Sequence, residues 1–273
     1  MFGHFLDNVR TKQPHIHCIT NYVTINDCAN ILLACGGSPI MAEYAGEVEE
    51  ITALCDGLLL NLGMLNPDKL TAMQKAGTKA NELHHPIVFD PVGVGASAFR
   101  TNSAKELLKQ VQVQAIRGNF SEIKALFQHV TASHGVDAVS TDNITKANLS
   151  QIVPIIKHFA KEADCIIAVT GEMDIVADSA KAYCIANGHS LMKAVTGSGC
   201  QLSALTSAYL TANRESPLEA VTSAVCAMGI CGEIAFSHLR DYEGNSTYRN
   251  YLIDAVYRLD SETLDKMARY EIL

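Results

Sequence analysis

Three stretches of this 273-residue chain carry residue types and spacings that can do chemistry. "VTGSGCQLSAL" (195–205) sets Gly197, Ser198 and Gly199 directly before Cys200, and Leu202, Leu205 and Tyr209 then recur at helical spacing. The first amides of a helix have no partner inside it, and the dipole adds roughly half a positive charge there. Such a start can receive an anion, a phosphate first of all. Glycines at 197 and 199 permit turns closed to other residues and leave room for a ligand. In that field a thiol pKa is expected to fall, which makes Cys200 a candidate reactive group. The same string also reads as a tight connection into a core helix with a small buried cysteine, and taken alone it leaves both readings open.

"FDPVGVGAS" (89–97) and "IRGNFSEI" (116–123) supply Asp90, Arg117 and Glu122. Carboxylates beside a phosphate site need a cation to offset their charge, and Mg²⁺ prefers oxygen ligands. "VGVGAS" lacks the full G-x-G-x-x-G dinucleotide pattern, and "GSG" is not a P-loop. Lys193, just before the glycines, reads equally as a solvated charge.

These residues sit in an alternating pattern. Strands are expected at 15–20, 38–42, 57–63, 86–95, 114–119 and 164–171, several of them continuous apolar runs typical of strands buried on both faces. Helices are expected at 24–36 (capped by Thr24 or Asn26), 46–55, 66–85, 101–112, 120–130 (capped by Ser121) and 145–163. "MDIVADS" and "KAYCIANG" form a hairpin pair bending at Asp178-Ser179. From 198 onward nearly everything reads as helix, and 129–145 as a polar loop or linker. The expected architecture is a single domain over 1–273: three α/β/α layers around a mostly parallel sheet. Ligands in such folds bind at the carboxyl ends of strands. That rule selects Asn21, Asn61 and Gly63, Asp90, Arg117 with Gly118 and Asn119, and Thr170 with Gly171.

Composition narrows the partners. The net charge of −8, with no Lys/Arg run, argues against nucleic acid. No apolar run of about 18 residues suggests a membrane span, and the first residues lack a signal-peptide layout. Nine cysteines without Cys-x-x-Cys indicate reduced thiols rather than a zinc cluster or a disulfide framework, and a cytoplasmic location.

"NYVTINDCANILLACGGSPIMAEYAGEVEEI", "FDPVGVGAS", "IRGNFSEI" and "VTGSGCQLSAL", in this order, resemble the hydroxyethylthiazole kinase family of thiamine biosynthesis, in the ribokinase-like superfamily. The likeness runs from about residue 10 to about residue 260. It implies ATP-dependent phosphorylation of 4-methyl-5-(2-hydroxyethyl)thiazole on its primary alcohol, with Mg²⁺, by a homotrimer whose active sites lie at subunit interfaces. By motif it implies that Met41, Asn21 and Gly63 line the thiazole pocket and that Gly197 touches the substrate side of the anion hole. Arg117 and Thr170 match ATP contacts, and Glu122, with Asp90 as a second acid, lies near Mg²⁺ and phosphate. Most sugar kinases of the superfamily read Gly-x-Gly-Asp where this chain has Gly197-Ser198-Gly199-Cys200. Cysteine there, typical of thiazole kinases, implies a modest role in aligning the hydroxyl rather than a strong base. Rival readings are a nucleotide-repair dehydratase of similar fold, a cysteine-nucleophile hydrolase built on Cys200, and a non-catalytic binder.

Overall fold

The structure is a computed structural model that describes residues 1–127 and 144–273. Six parallel strands form most of the sheet: β1 (His15–Ile19), β2 (Ser38–Met41), β3 (Gly57–Asn61), β4 (Ile87–Asp90), β5 (Ala115–Asn119) and β6 (Ile166–Thr170). The hairpin β7 (Asp174–Ala177) and β8 (Ala182–Ile185) continues it antiparallel, and β9 (Tyr270–Ile272) pairs with β8 at the edge. The order is β2-β1-β3-β4-β5-β6-β7-β8-β9.

Two apolar layers follow from the period of two along each strand. Leu59, Val88, Ala115 and Ala168 face one layer. There lie α1 (Gly3–Lys12), α2 (Ile25–Cys35), α8 (Ser198–Ala212), α9 (Pro217–Ser237), α10 (Asn245–Arg258) and α11 (Ser261–Met267). Leu58, Leu60, Phe89, Ile116 and Ile167 face the other, under α3 (Val48–Leu54), α4 (Pro67–Glu82), α5 (Ala98–Gln110), α6 (Phe120–Leu126) and α7 (Leu149–Ala163). This is the expected three-layer α/β/α arrangement. Leu58, Leu59 and Leu60 are fully buried, each contributing about 1.5–3 kcal/mol relative to exposure. Helix α9 is long and apolar enough to cross a membrane by length and composition, which the reading of apolar runs did not find; most of it is buried against α8 and α10.

Local chemistry revises several boundaries. Helix α6 is capped by Asn119 rather than Ser121. Extended backbone at 119 brings its side chain onto the Glu122 amide (2.8 Å), while Glu122 returns a carboxylate oxygen to the Asn119 amide (3.0 Å), a reciprocal capping box. Helix α5 starts at Ala98, three residues earlier than expected, because Ser97 caps it by accepting from the Arg100 amide. Thr24 occupies the position before α2 without a side-chain cap, and its methyl packs against Gly197. Strand β4 stops at Asp90, since Pro91 and Gly93 (φ +75°) turn the chain away. Strand β9 interrupts the expected C-terminal helical run. Of the polar stretch 129–145, residues 129–143 lie outside the described ones.

Candidate active site

The sheet register brings the candidates together. Asn61 and Asp90, the last residues of β3 and β4, are cross-strand partners, as are Asn119 and Thr170 at the ends of β5 and β6. Helix α8 begins opposite these carboxyl ends. Gly197 precedes it with φ +82°, a left-handed conformation that non-glycine residues adopt at a cost. The first intrahelical bond runs from the Gln201 amide to Gly197 O (2.9 Å), so the amides of Ser198, Gly199 and Cys200 precede the helix's own ladder. The Ser198 amide makes a long turn contact to Val195 O (3.4 Å).

Arg117 lies over this helix start. A Cβ at Gly199 would stand 2.6 Å from Arg117 Nη1, so only glycine lets the guanidinium approach so closely. Arg117 Nη2 donates to Thr170 Oγ1 (2.6 Å), Nη1 stands 3.8 Å from Asp90 Oδ2, and buried Nε has no protein partner. A cavity of about 360 Å³ opens beside them, walled by Arg117, Thr170, Ser198, Gly199, Asn187 and Met228 among others. Helix dipole, free amides and an arginine converge on it, which is the arrangement an oligophosphate requires.

Cys200 is almost completely buried on the other side of the same turn. Its Sγ accepts from Asn21 Nδ2 (3.3 Å) and Asn61 Nδ2 (3.3 Å). Asn61 also donates to Asp90 Oδ2 (2.8 Å), and its Oδ1 accepts from Asn21 Nδ2 (3.1 Å) and the Gly63 amide (2.9 Å). Ser203, one turn after Cys200, donates to Asp90 Oδ2 (2.7 Å). Asn21, Gly63, Asp90 and Cys200 are thus joined through one hub, Asn61. Met41 ends β2 and is partly buried against the α2/α8 layer, next to β1, where Cys18 is its register partner.

The electrostatics correct one expectation. Burial, and then the nearby Asp90, raise the Cys200 thiol pKa, outweighing the lowering by Thr24, Asn61 and Asn21. The helix start does not make this a reactive thiolate, because the sulfur is withdrawn from water and faces a carboxylate. A raised thiol disfavours the cysteine-nucleophile reading. Asp90 is itself pushed up to about 6 by burial, with Arg117 and Ser203 opposing and Glu122 adding to the rise.

Asp90 Oδ1 is buried with no protein partner. Glu122 accepts from the Gly93 amide (2.8 Å) through one oxygen and from the Asn119 amide through the other. This all-oxygen pair suits Mg²⁺, which takes one or two carboxylates and completes its shell with water and phosphate oxygens. Among the described residues no group of three or more His, Cys, Asp or Glu forms an all-protein cage.

Sequence reasoning listed Asn61 as a strand end but not as the hub, and it missed Ser203, Lys69 and the packing of Thr24 against Gly197. Signals existed for two of them. Ser203 follows Cys200 by three, so the two share a helix face. Lys69 opens the buried stripe Lys69, Ala72, Met73, Ala76, Gly77, Ala80 of α4, where an apolar residue is the rule.

The Hydroxyethylthiazole kinase family matches residues 6–262. The hydroxyethylthiazole kinase of Clostridium acetobutylicum is 53% identical over 266 residues, 97% of each chain. That of Desulfovibrio desulfuricans is 42% identical over 276 residues, 98% of this chain and 97% of its own. The solved structure of the hydroxyethylthiazole kinase protein from Pyrococcus horikoshii superimposes with a TM-score of 0.87 at 34% identity, covering 100% of this chain and 98% of the other. Pyridoxal kinase from Staphylococcus aureus in complex with ADP shares the fold alone, with a TM-score of 0.64 at 15% identity over 95% of this chain and 98% of its own. On sequence, fold and the placing of its motifs, this chain belongs to the hydroxyethylthiazole kinase family.

Proposed function

We propose that this protein transfers the terminal phosphoryl group of ATP to the primary alcohol of 4-methyl-5-(2-hydroxyethyl)thiazole, in thiamine biosynthesis or salvage. One observation carries the reading: a single turn, 197–200, turns its amides to the cavity beside Arg117 of β5 on one side and Cys200 with its asparagines to the other. An anion and an alcohol are thereby held at the two sides of one backbone segment.

In this scheme ATP occupies the cavity at Arg117 and Thr170, with its terminal phosphate at the amides of Gly199 and Cys200. Negative charge on the transferring group meets donors already fixed by the helix, which stabilises the transition state more than the ground state. The thiazole lies against Met41, Asn21 and Gly63, its hydroxyl beside Cys200 Sγ. The thiol aligns the attacking oxygen. In a loose phosphoryl-transfer transition state that oxygen needs little activation, so its proton can leave late, to an oxygen of the transferred phosphoryl group. Asp90 and Glu122 would hold Mg²⁺, which supplies charge neutralisation between the phosphates when bound.

The functional unit in this reading is a homotrimer with active sites at subunit interfaces. The support is exposed apolar surface at the alcohol side: Tyr22 and Val23, next to Asn21, and Tyr44, shortly after Met41, are 58%, 62% and 72% exposed. The reaction belongs to the cytoplasm, where nine unpaired thiols stay reduced. A coupled ADP-release assay tests the proposal. Release that depends on both Mg²⁺ and the thiazole alcohol is expected; release indifferent to the alcohol refutes it.

A further inference from the structure

Lys69 is a charged side chain that the scheme above does not use. It sits in the first turn of α4 and is 3% exposed. Burying an ammonium is costly unless its donors are satisfied. Its Nζ donates to Thr20 O and to Gly63 O (3.0 Å), the backbone carbonyls at the ends of the β1 and β3 segments. The nearest carboxylate, Glu43, stands 3.9 Å away and is about one-third exposed, so the backbone carbonyls are the closer partners.

Those two carbonyls belong to the loops that carry the alcohol side. Thr20 is bonded covalently to Asn21, Asn21 Nδ2 donates to Asn61 Oδ1, and the Gly63 amide donates to that same oxygen. Lys69 therefore closes a ring: Lys69, Thr20-Asn21, Asn61, Gly63, and back to Lys69. The ring fixes both amide groups that reach Cys200 Sγ. Without the ammonium, two buried carbonyls lose their donor and the two loops lose their only shared charged tie within this ring.

We infer that Lys69 is a positioning residue for the alcohol substrate, a buried cation that holds Asn21 and Gly63 in register with Cys200 while leaving the nucleotide cavity independent. Lys69 does not line that cavity, and among the described residues Arg117 and Thr170 share no hydrogen bond with the ring; the link between them is Asp90 Oδ2, which accepts from Asn61 and stands 3.8 Å from Arg117 Nη1. This inference rests on the assignment of Asn21 and Gly63 to the thiazole pocket.

The experiment compares the parent protein, Lys69→Met, Lys69→Gln and Lys69→Arg by steady-state kinetics in both substrates, with folding checked by circular dichroism and thermal melting. Lys69→Met is expected to raise KM for the thiazole alcohol at least tenfold, with KM for ATP within twofold of the parent. Lys69→Arg, which keeps charge and donors, is expected to recover part of that loss; a general structural role would move both KM values together. Lys69→Gln is the second neutral variant if Lys69→Met does not fold. An unchanged alcohol KM, equal shifts in both substrates, or collapse of both neutral variants would each overturn the positioning role. A parent that releases no ADP with the thiazole alcohol would instead refute the proposed function, and this inference with it.

Discussion

The two sides of the 197–200 turn are built on opposite principles. On the side proposed for the alcohol, Asn21, Asn61, Ser203 and Lys69 bond chiefly to one another, to Asp90 or to backbone, and all are buried. On the side proposed for the nucleotide, Arg117 makes one short side-chain bond, keeps Nε unpartnered and borders an open cavity. A small, nearly neutral substrate offers few handles, so its site must be shaped in advance by packed neutral amides. A large polyanion brings its own charge and can complete a site left partly unsatisfied. Preorganisation is therefore concentrated where the ligand contributes least.

That contrast can be broken at its shared element first. Gly197→Val forces a β-branched residue into φ +82° and drives its Cβ onto Thr24, displacing amides that serve both sides. We expect kcat to fall about 10²–10³-fold, the scale of losing a preorganised donor, with the fold retained by circular dichroism. A normal kcat would remove the anion hole from the scheme.

The next two variants should separate the sides kinetically. Arg117→Met removes a charge-assisted donor worth about 1.5–3 kcal/mol, so KM for ATP should rise roughly 10- to 150-fold while KM for the alcohol holds. Asn61→Ala leaves Asp90 and the Gly63 amide short of a partner, at about 1–3 kcal/mol. It should raise KM for the alcohol about tenfold and leave ATP binding, followed by calorimetry, near the parent value. Both substrates responding alike to either variant would abolish the distinction.

A gentler change sharpens the role of sulfur. Cys200→Asp places a carboxylate under two amide donors already aimed at the position. Turnover should survive or rise; loss of both turnover and ATP binding in a folded protein would contradict an aligning role.

The smallest effect is a control far from the turn. Glu219 bonds to Lys181 Nζ (2.5 Å) and Tyr183 Oη (3.0 Å). Burial raises its pKa, but these hydrogen bonds outweigh it and the net pKa is lowered. A lowered carboxylate pKa stabilises the fold above the unfolded value near 4.5, and that contribution disappears as pH falls through the folded value. Glu219→Gln should cost at most about 1 kcal/mol at pH 7, because the pair is partly exposed, and roughly 2–4 °C in Tm. The difference should vanish in strong acid, with kinetics unchanged at neutral pH.

Much of this architecture can be read from residue order because buried parallel strands write continuous apolar runs, "GLLLN" and "IIAVT" among them, and end in polar residues. The rule that ligands bind at the carboxyl ends of strands selects Asn21, Gly63, Asp90, Arg117 and Thr170 among others, and the family resemblance, not the rule, is what implies their separate roles. The hub role of Asn61 was not legible, since it depends on which side chains meet across β1, β3 and α8. Lys69 shows in the sequence only through its place in the buried α4 stripe, a position that the sequence analysis does not single out. Strand β9 escaped because three exposed residues, Tyr270 to Ile272, are too few to show a period, and pairing with β8 alone makes them a strand. The cap of α6 was misplaced by two residues because asparagine and serine have similar cap preferences and only the extended backbone at 119 decides between them.

The burial that raises the Cys200 pKa extends to every sulfhydryl in the chain: all nine have their pKa values raised, first of all by loss of solvent. Peroxide and haloacetamides react through the deprotonated form, so they will find no privileged target here, the sulfur of the 197–200 turn included. Reversible ligands that compete for the alcohol position proposed at Asn21 and Gly63 do not depend on a deprotonated sulfur.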